Sequence, residues 1–302
     1  MRRFTRRALV PAILAAATVT LGSDDARAQT TPVTTESAAG ARVERLLTAL
    51  GVPGPLRRLR VQGDGSLRPD GTVRHWEVSV LSGGNGELYE ASLTADGGRT
   101  EIHRYGADHG LFLEWTPKPA DARQQERARA LLAAVGTREP TRTEHVSRTH
   151  RGDVAAYFPI LRHGYPFVAG TRYGYRFVFD AGTGEFLRFA AVEAPPPVAA
   201  APPGKPKVDR AAALAVLKRV FDAELRPAAM SDAAVVGVSY AVRGEPSLGF
   251  FHREGMDAPL LVWEIRYTLL RATRRGVSGG GGTPLVVDAT TGLPVPPTVP
   301  RK

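Results

Sequence analysis

The histidines of this chain are not spaced as metal ligands usually are. His145 and His150 lie five positions apart, and His103 and His109 lie six apart, so neither pair shares one face of a helix. The chain has no cysteine that could complete a zinc site. We therefore expect no bound metal at these positions.

The segment from Asp64 to Gly71 faintly resembles a calcium-binding loop. Arg68 occupies a ligand position, and the acidic residue that should close the loop is misplaced. We interpret the segment as a turn.

Two Trp-Glu pairs, Trp76-Glu77 and Trp263-Glu264, occupy matching places in two strand patterns. The indoles could stack on a sugar, but a large aromatic side chain on a strand is more typical of core packing. Neighbouring residues of a strand point to opposite faces, so both glutamates lie opposite the indoles. They belong to different parts of the chain, and pairing them as acid and base would be speculation.

The usual catalytic motifs do not stand out. We identify no Gly-x-Ser-x-Gly elbow, no His-Glu-x-x-His, no Walker loop and no dinucleotide fingerprint. The run from Gly279 to Gly282 lacks the lysine and the helix of a phosphate loop, so we interpret it as a hairpin loop. We expect a non-enzymatic protein with no catalytic residue and no cofactor. A hydrolase with a site assembled between units stays open as an alternative.

The N-terminal segment predicts export. Four arginines within the first seven residues precede an apolar run from Ala8 to Leu21, and Ala26-Arg27-Ala28 is a small-x-small cleavage site. We expect a signal peptide over residues 1–28, cleaved after Ala28, and a location in the periplasm or outside the cell. A loose twin-arginine pattern leaves the export route open. No later stretch has the roughly 18 apolar residues of a membrane span.

The formal charge is +10 for the full chain. A basic chain suggests acidic partners, among them acidic polysaccharide. No block of five like charges and no basic stretch with interleaved aromatic residues occurs, which argues against nucleic acid.

A repeat sets the architecture. Three helix patterns, the first with apolar residues at Val43, Leu46, Leu47 and Leu50, each precede aromatic and β-branched strand patterns. This order predicts an α+β fold of repeated units, each with one N-terminal helix packed on a three- to four-stranded antiparallel sheet. We place a flexible lead-in at 29–40, units at 41–115, 118–191 and 208–295, a proline-rich linker at 192–207 and a tail at 296–302.

The last two units end in nearly the same turn, Asp-Ala-x-Thr-Gly, with Asp180 and Gly184 in one copy and Asp288 and Gly292 in the other. The carboxylates could face a ligand at a loop tip. A structural role is the better interpretation, because Asp braces a turn through its own backbone and Gly tolerates positive φ.

The order of helix, aromatic strand, hairpin and terminal turn resembles the PepSY-type module. The match is closest in the third unit, at Trp263–Tyr267 and Val286–Gly292, and weakest in the first. The resemblance implies a secreted or envelope protein that binds and restrains a peptidase or another envelope protein. It carries no catalytic residues. A polysaccharide-binding module of the cell envelope is the alternative.

A protein-binding module of this kind can add a strand of its partner to an exposed sheet edge. We expect such edges in the strands that contain Tyr173, Tyr175, Phe177, Trp263 and Tyr267.

Overall fold

The structure is a computed structural model that describes residues 32–67, 69–106, 118–137, 141, 145–148, 152–193, 195, 206–253, 255–281 and 284–296. The predicted signal peptide, most of the proline-rich linker and the tail beyond residue 296 lie outside the described residues. So do Arg68, His109 and His150.

Three helices open the three units: α1 (Glu36–Ala49), α2 (Ala122–Val135) and α3 (Arg210–Val220). Each has a side-chain N-cap, which satisfies a backbone N–H that the first turn leaves unbonded. At α2 the side chains of Asp121 and Gln124 form a capping box. The α3 helix continues through a π-helical turn (Phe221–Leu225) into a short helix, α4 (Arg226–Met230).

A nine-stranded antiparallel sheet spans the first two units, with helices α1 and α2 packed on it and against each other. Its order is β1-β2-β3-β4-β11-β10-β7-β6-β5. The strands are β1 (Leu56–Gly63), β2 (His75–Ser82), β3 (Leu88–Thr94), β4 (Arg99–Arg104), β5 (Lys118–Pro119), β6 (His145–Arg148), β7 (Asp153–Pro159), β10 (Gly174–Asp180) and β11 (Phe186–Val192).

Two smaller sheets contain the third unit. A five-stranded sheet has the order β17-β14-β13-β9-β8, and a three-stranded sheet, which we call the arm, has the order β12-β15-β16. The strands are β8 (Leu161–Arg162), β9 (Tyr165–Gly170), β12 (Val235–Val242), β13 (Ser247–His252), β14 (Leu260–Ile265), β15 (Tyr267–Thr273), β16 (Gly276–Gly281) and β17 (Leu285–Asp288).

The α+β class is confirmed, but the prediction of a separate sheet for each unit is wrong. Strand β4 of the first unit pairs with β11 of the second, and β9 of the second pairs in parallel with β13 of the third. The physical reason is that the outer strand of a small sheet has unpaired backbone groups, which the outer strand of a neighbouring sheet satisfies.

Buried polar contacts join the first two units beyond this strand pairing. Arg42 on α1 lies 3.7 Å from Glu193, which directly follows β11, and both side chains are almost fully buried. The hydroxyl of Tyr175 donates to the same carboxylate at 2.8 Å. A charge in such a place is tolerated only with partners of this kind.

The prediction of a flexible lead-in at 29–40 is wrong from Val33 onward. Helix α1 begins at Glu36, and Val33 is 3% exposed. The backbone N–H of Val33 donates to the carbonyl of Ala95 at 2.7 Å, so this segment belongs to the core of the first unit.

Candidate functional site

The strands proposed as binding edges from the sequence are interior strands, so that prediction is wrong. Strand β10, with Tyr175 and Phe177, lies between β7 and β11, and both side chains are fully buried. Strand β14, with Trp263, lies between β13 and β17. Apolar side chains on both faces of a strand mark it as central, and the run Phe177–Phe179 already carried that signal.

The two other residues of that set also lie away from an edge. Tyr173 precedes β10 and is buried, and its hydroxyl lies 3.0 Å from Nδ1 of His252, where burial raises the pKa of the phenol. Tyr267 begins β15, the middle strand of the arm, and packs against helix α3, and burial raises its pKa as well. Tyr173 therefore contacts the end of β13, and Tyr267 contacts helix α3, so both tyrosines have structural roles.

The tryptophans have matching structural contacts. Nε1 of Trp76 donates to the carbonyl of Val33 at 2.7 Å, and Nε1 of Trp263 donates to the carbonyl of Val208 at 2.9 Å. In each unit this carbonyl lies just before the first helix. Trp76 is 4% exposed, so its ring cannot serve as a platform for a sugar.

The two terminal turns also share one geometry. Oδ1 of Asp180 accepts from the backbone N–H groups of Gly182 and Thr183, and Oδ1 of Asp288 accepts from those of Thr290 and Thr291, all within 3.0 Å. Gly184 and Gly292 have φ of 74° and 72°, in the region that favours glycine. The bond from the Thr183 backbone is the main cause that lowers the pKa of Asp180. Both carboxylates already brace their own turns.

The glutamates beside the tryptophans do not meet. Glu77 is exposed on β2 of the nine-stranded sheet. Glu264 on β14 is 2% exposed, and its carboxylate binds Arg172 at 2.8 Å and Arg266 at 3.1 Å. Arg172 belongs to the second unit, so this ion-pair cluster around the buried Glu264 joins the second unit to the third.

In the described part of the chain, no three His, Cys, Asp or Glu side chains are grouped to hold a metal ion. Oδ1 of Asp64 accepts from the backbone N–H groups of Arg74 and His75, and Oδ1 of Asp70 accepts from that of Thr72, as in a turn. His103 lies 3.5 Å from Glu90 on the sheet surface. The side chain of His145 lies outside the described residues.

Sequence reasoning overlooked one motif. Residues 276–280 do read Gly-x-Ser-x-Gly, with Ser278 in the middle. A nucleophile elbow needs a sharp turn from a strand into a helix. Ser278 lies inside strand β16, paired with Arg271 of β15, so the residues match the motif without its geometry.

Most edge strands of the three sheets have features that disfavour the addition of another strand. Strand β1 has exposed arginines at 57, 58 and 60, while β5 and β8 have two residues each. Strand β17 is bonded on its outer side, where Val295 N–H donates to the carbonyl of Val286 at 2.8 Å. Strand β12 has a register shift between Val235 and Gly237 and contacts α4.

Strand β16 is the edge without such protection among the described residues. It pairs with β15 from Gly276 to Gly281, and the described part of the chain contains no strand on its other side. Residues 276–280 are exposed, and Val277 is 71% exposed. Glycine in a strand often marks a place where another backbone approaches closely.

The arm is fixed to the body of the protein, so its edge has a defined position. Tyr240 of β12 packs against Phe221 with ring centroids 4.7 Å apart and the ring planes tilted by 54°. Arg243, after β12, donates from Nε to the hydroxyl of Thr268 on β15. Its backbone N–H donates to the carbonyl of Arg266 at 2.8 Å, and Arg266 pairs with the buried Glu264.

Comparisons with known proteins leave the family open. No protein-family model matches the chain, and no curated protein matches it, so the resemblance to PepSY-type modules stays a prediction. Among solved structures, the chain is similar to the C-terminal domain of YpeB from Bacillus megaterium, with 11% identity and a TM-score of 0.45. The match covers 87% of this chain and 96% of that domain. A likeness at this level carries no argument on family or function.

No helix within the described ranges is long and apolar enough to cross a membrane.

Proposed function

We propose that this chain is an exported, non-enzymatic protein that binds another protein by strand addition at the outer edge of β16. The open edge of β16 is the observation that carries the proposal, because its unpaired backbone N–H and C=O groups can bond a strand of a partner. The fixed position of the arm supports it further, since a pre-ordered edge loses little conformational freedom on binding.

The partner that fits the PepSY resemblance is an extracellular or envelope peptidase, which this chain would restrain. Strand addition suits that role, because a peptidase segment held in a foreign sheet is not free to move as catalysis requires. The signal-peptide pattern of residues 1–28 supports a meeting outside the cytoplasm.

Proline substitutions in β16 test the proposal. Residues of an antiparallel strand direct their N–H groups alternately toward and away from the neighbouring strand. Of Gly279→Pro and Gly280→Pro, one therefore removes a bond to β15 and the other removes an outward donor. Ala241→Pro on β12, the opposite edge of the arm, is the matched control.

The assay uses residues 29–302 as bait for proteins from the secreted and envelope fractions of the source cells. We expect capture of a peptidase, slower turnover of that peptidase when the chain is added, and loss of both effects in the β16 variant that keeps wild-type stability. Ala241→Pro should retain both effects. If circular dichroism shows that both β16 variants are folded, and both capture the partner as well as the wild-type chain does, the proposal is contradicted.

An acidic polysaccharide is the competing partner and is tested in the same format. Binding of polysaccharide that is unchanged by either β16 substitution, without any effect on peptidase rates, would favour that alternative.

A further inference from the structure

The arm has an unbalanced charge. Strands β12, β15 and β16 contain no acidic residue, while Arg271 lies on β15 and Arg274 and Arg275 form the turn into β16. All three arginine side chains are exposed, and none pairs with a carboxylate among the described residues. The open edge therefore lies beside positive charge that nothing in the described part of the chain neutralises.

The register of the arm places Arg271 on a defined face, beside the turn that contains Arg274 and Arg275. Arg271 is paired with Ser278, and Leu269 with Gly280, so these four residues share a face. Leu270 paired with Gly279, and Ala272 paired with Val277, lie on the opposite face. One face of the edge therefore has the positive charge of Arg271, and the opposite face has the apolar side chains of Leu270, Ala272 and Val277.

A strand added outside β16 would lie about 10 Å from β15, twice the usual spacing between strands. Ser278 and Gly280 have little or no side chain, so they leave the guanidinium of Arg271 free to extend across β16 toward that strand. On the other face, Val277 and Leu270 offer apolar contact to alternate residues of the strand.

We infer that β16 takes up an extended acidic segment of a partner protein in which acidic and apolar side chains alternate. The carboxylates face Arg271 and the turn arginines, and the apolar side chains face Val277 and Leu270. This inference rests on the protein-binding function proposed above and adds the chemistry of the partner. A second copy of this chain fits poorly, because pairing two β16 edges would bring their arginines together without counter-charges.

Fluorescence anisotropy with a labelled synthetic peptide tests the inference. The probe is a peptide of about eight residues in which Asp and Val alternate, long enough for a typical strand. The comparison peptides are an alternating Lys and Val peptide, and a peptide with the Asp and Val residues of the probe sorted into two blocks. The protein is the chain from residue 29 to 302.

We expect the alternating acidic peptide to bind, and the Lys peptide and the sorted peptide to bind at least tenfold more weakly. Arg271→Gln and Arg275→Gln should each weaken binding about two- to fivefold, as expected for exposed ion pairs. Arg129→Gln, at an exposed position on α2, should have no effect. Raising the salt concentration should weaken binding of the acidic peptide.

Three results would overturn the inference. The first is binding of the Lys peptide as tight as that of the acidic peptide, and the second is no effect of Arg271→Gln and Arg275→Gln. The third is sedimentation of the chain alone as a dimer that Gly279→Pro or Gly280→Pro converts to a monomer. The two proposals can fail separately. If the β16 proline variants lose the native partner but the acidic peptide does not bind, strand addition stands and the acidic segment is wrong. If the proline variants capture the partner normally, strand addition itself is wrong.

Discussion

Replacing Trp76 with phenylalanine removes one indole N–H from the core of the first unit. That N–H donates at 2.7 Å to the carbonyl of Val33, whose own N–H is bonded to Ala95. Trp76 is 4% exposed, so water cannot easily replace the lost donor. A buried acceptor left without its partner costs about 1–3 kcal/mol, and the smaller ring leaves unfilled space. We expect a loss of about 2–3 kcal/mol in the free energy of unfolding.

Trp263→Phe is the matched control, because it removes the same bond at the equivalent place in the third unit. Trp263 is only partly buried, so water can reach the carbonyl of Val208 more readily. We expect a loss of about 1 kcal/mol or less.

Urea unfolding followed by far-ultraviolet circular dichroism measures both variants. The midpoint should fall more for Trp76→Phe than for Trp263→Phe, with an unchanged slope in each case. A loss below about 0.5 kcal/mol for Trp76→Phe would match an ordinary surface change and would refute a buried bond to residue 33. The reverse order of the two variants would refute the assignment of burial.

The remaining predictions concern buried charge and the repeated turn. Glu264→Ala should lower the free energy of unfolding in urea by about 1.5–3 kcal/mol, because both charge-assisted bonds are lost while the two arginines keep contact with water. Arg172→Ala should cost less, because Arg266 still pairs with Glu264, and equal losses would contradict a shared cluster. Asp180→Asn should cost about 0.5–1.5 kcal/mol at pH 7. Since the turn lowers the folded-state pKa of Asp180, its stabilisation is present above the unfolded pKa of about 3.9 and is lost as the pH falls through the folded value. The stabilities of the variant and the wild type should therefore converge in urea unfolding as the pH falls below the unfolded value and through the lower folded one, and a difference that stays constant from pH 7 downward would contradict the role of the carboxylate.

Local features of the fold could be predicted from the sequence, because they depend on interactions between residues close to one another in the chain. The apolar stripe of α1 and the capping box of Asp121 depend on residues three or four positions apart. The equivalence of Trp76 and Trp263 was visible as a repeat, although their bonds to the segments before α1 and α3 were not.

Long-range strand pairing could not be read in the same way. The backbone groups that join β4 to β11 and β9 to β13 are the same in every residue, so side-chain patterns do not specify which edges meet. This is also why the aromatic strand with Tyr175 and Phe177 was misassigned to an edge. The open edge at β16 was hidden for a related reason, since a run of glycines reads as a loop until its pairing with β15 is known.

Hydrogen–deuterium exchange of the arm is the most direct test of the account. The amides of residues 276–281 and of residues 235–242 would be followed in the free chain and after addition of the protein captured by residues 29–302. We expect the outward amides of β16 to exchange rapidly in the free chain and to be strongly protected in the complex, with little change in β12. Binding that leaves the exchange of β16 unchanged would contradict strand addition at this edge.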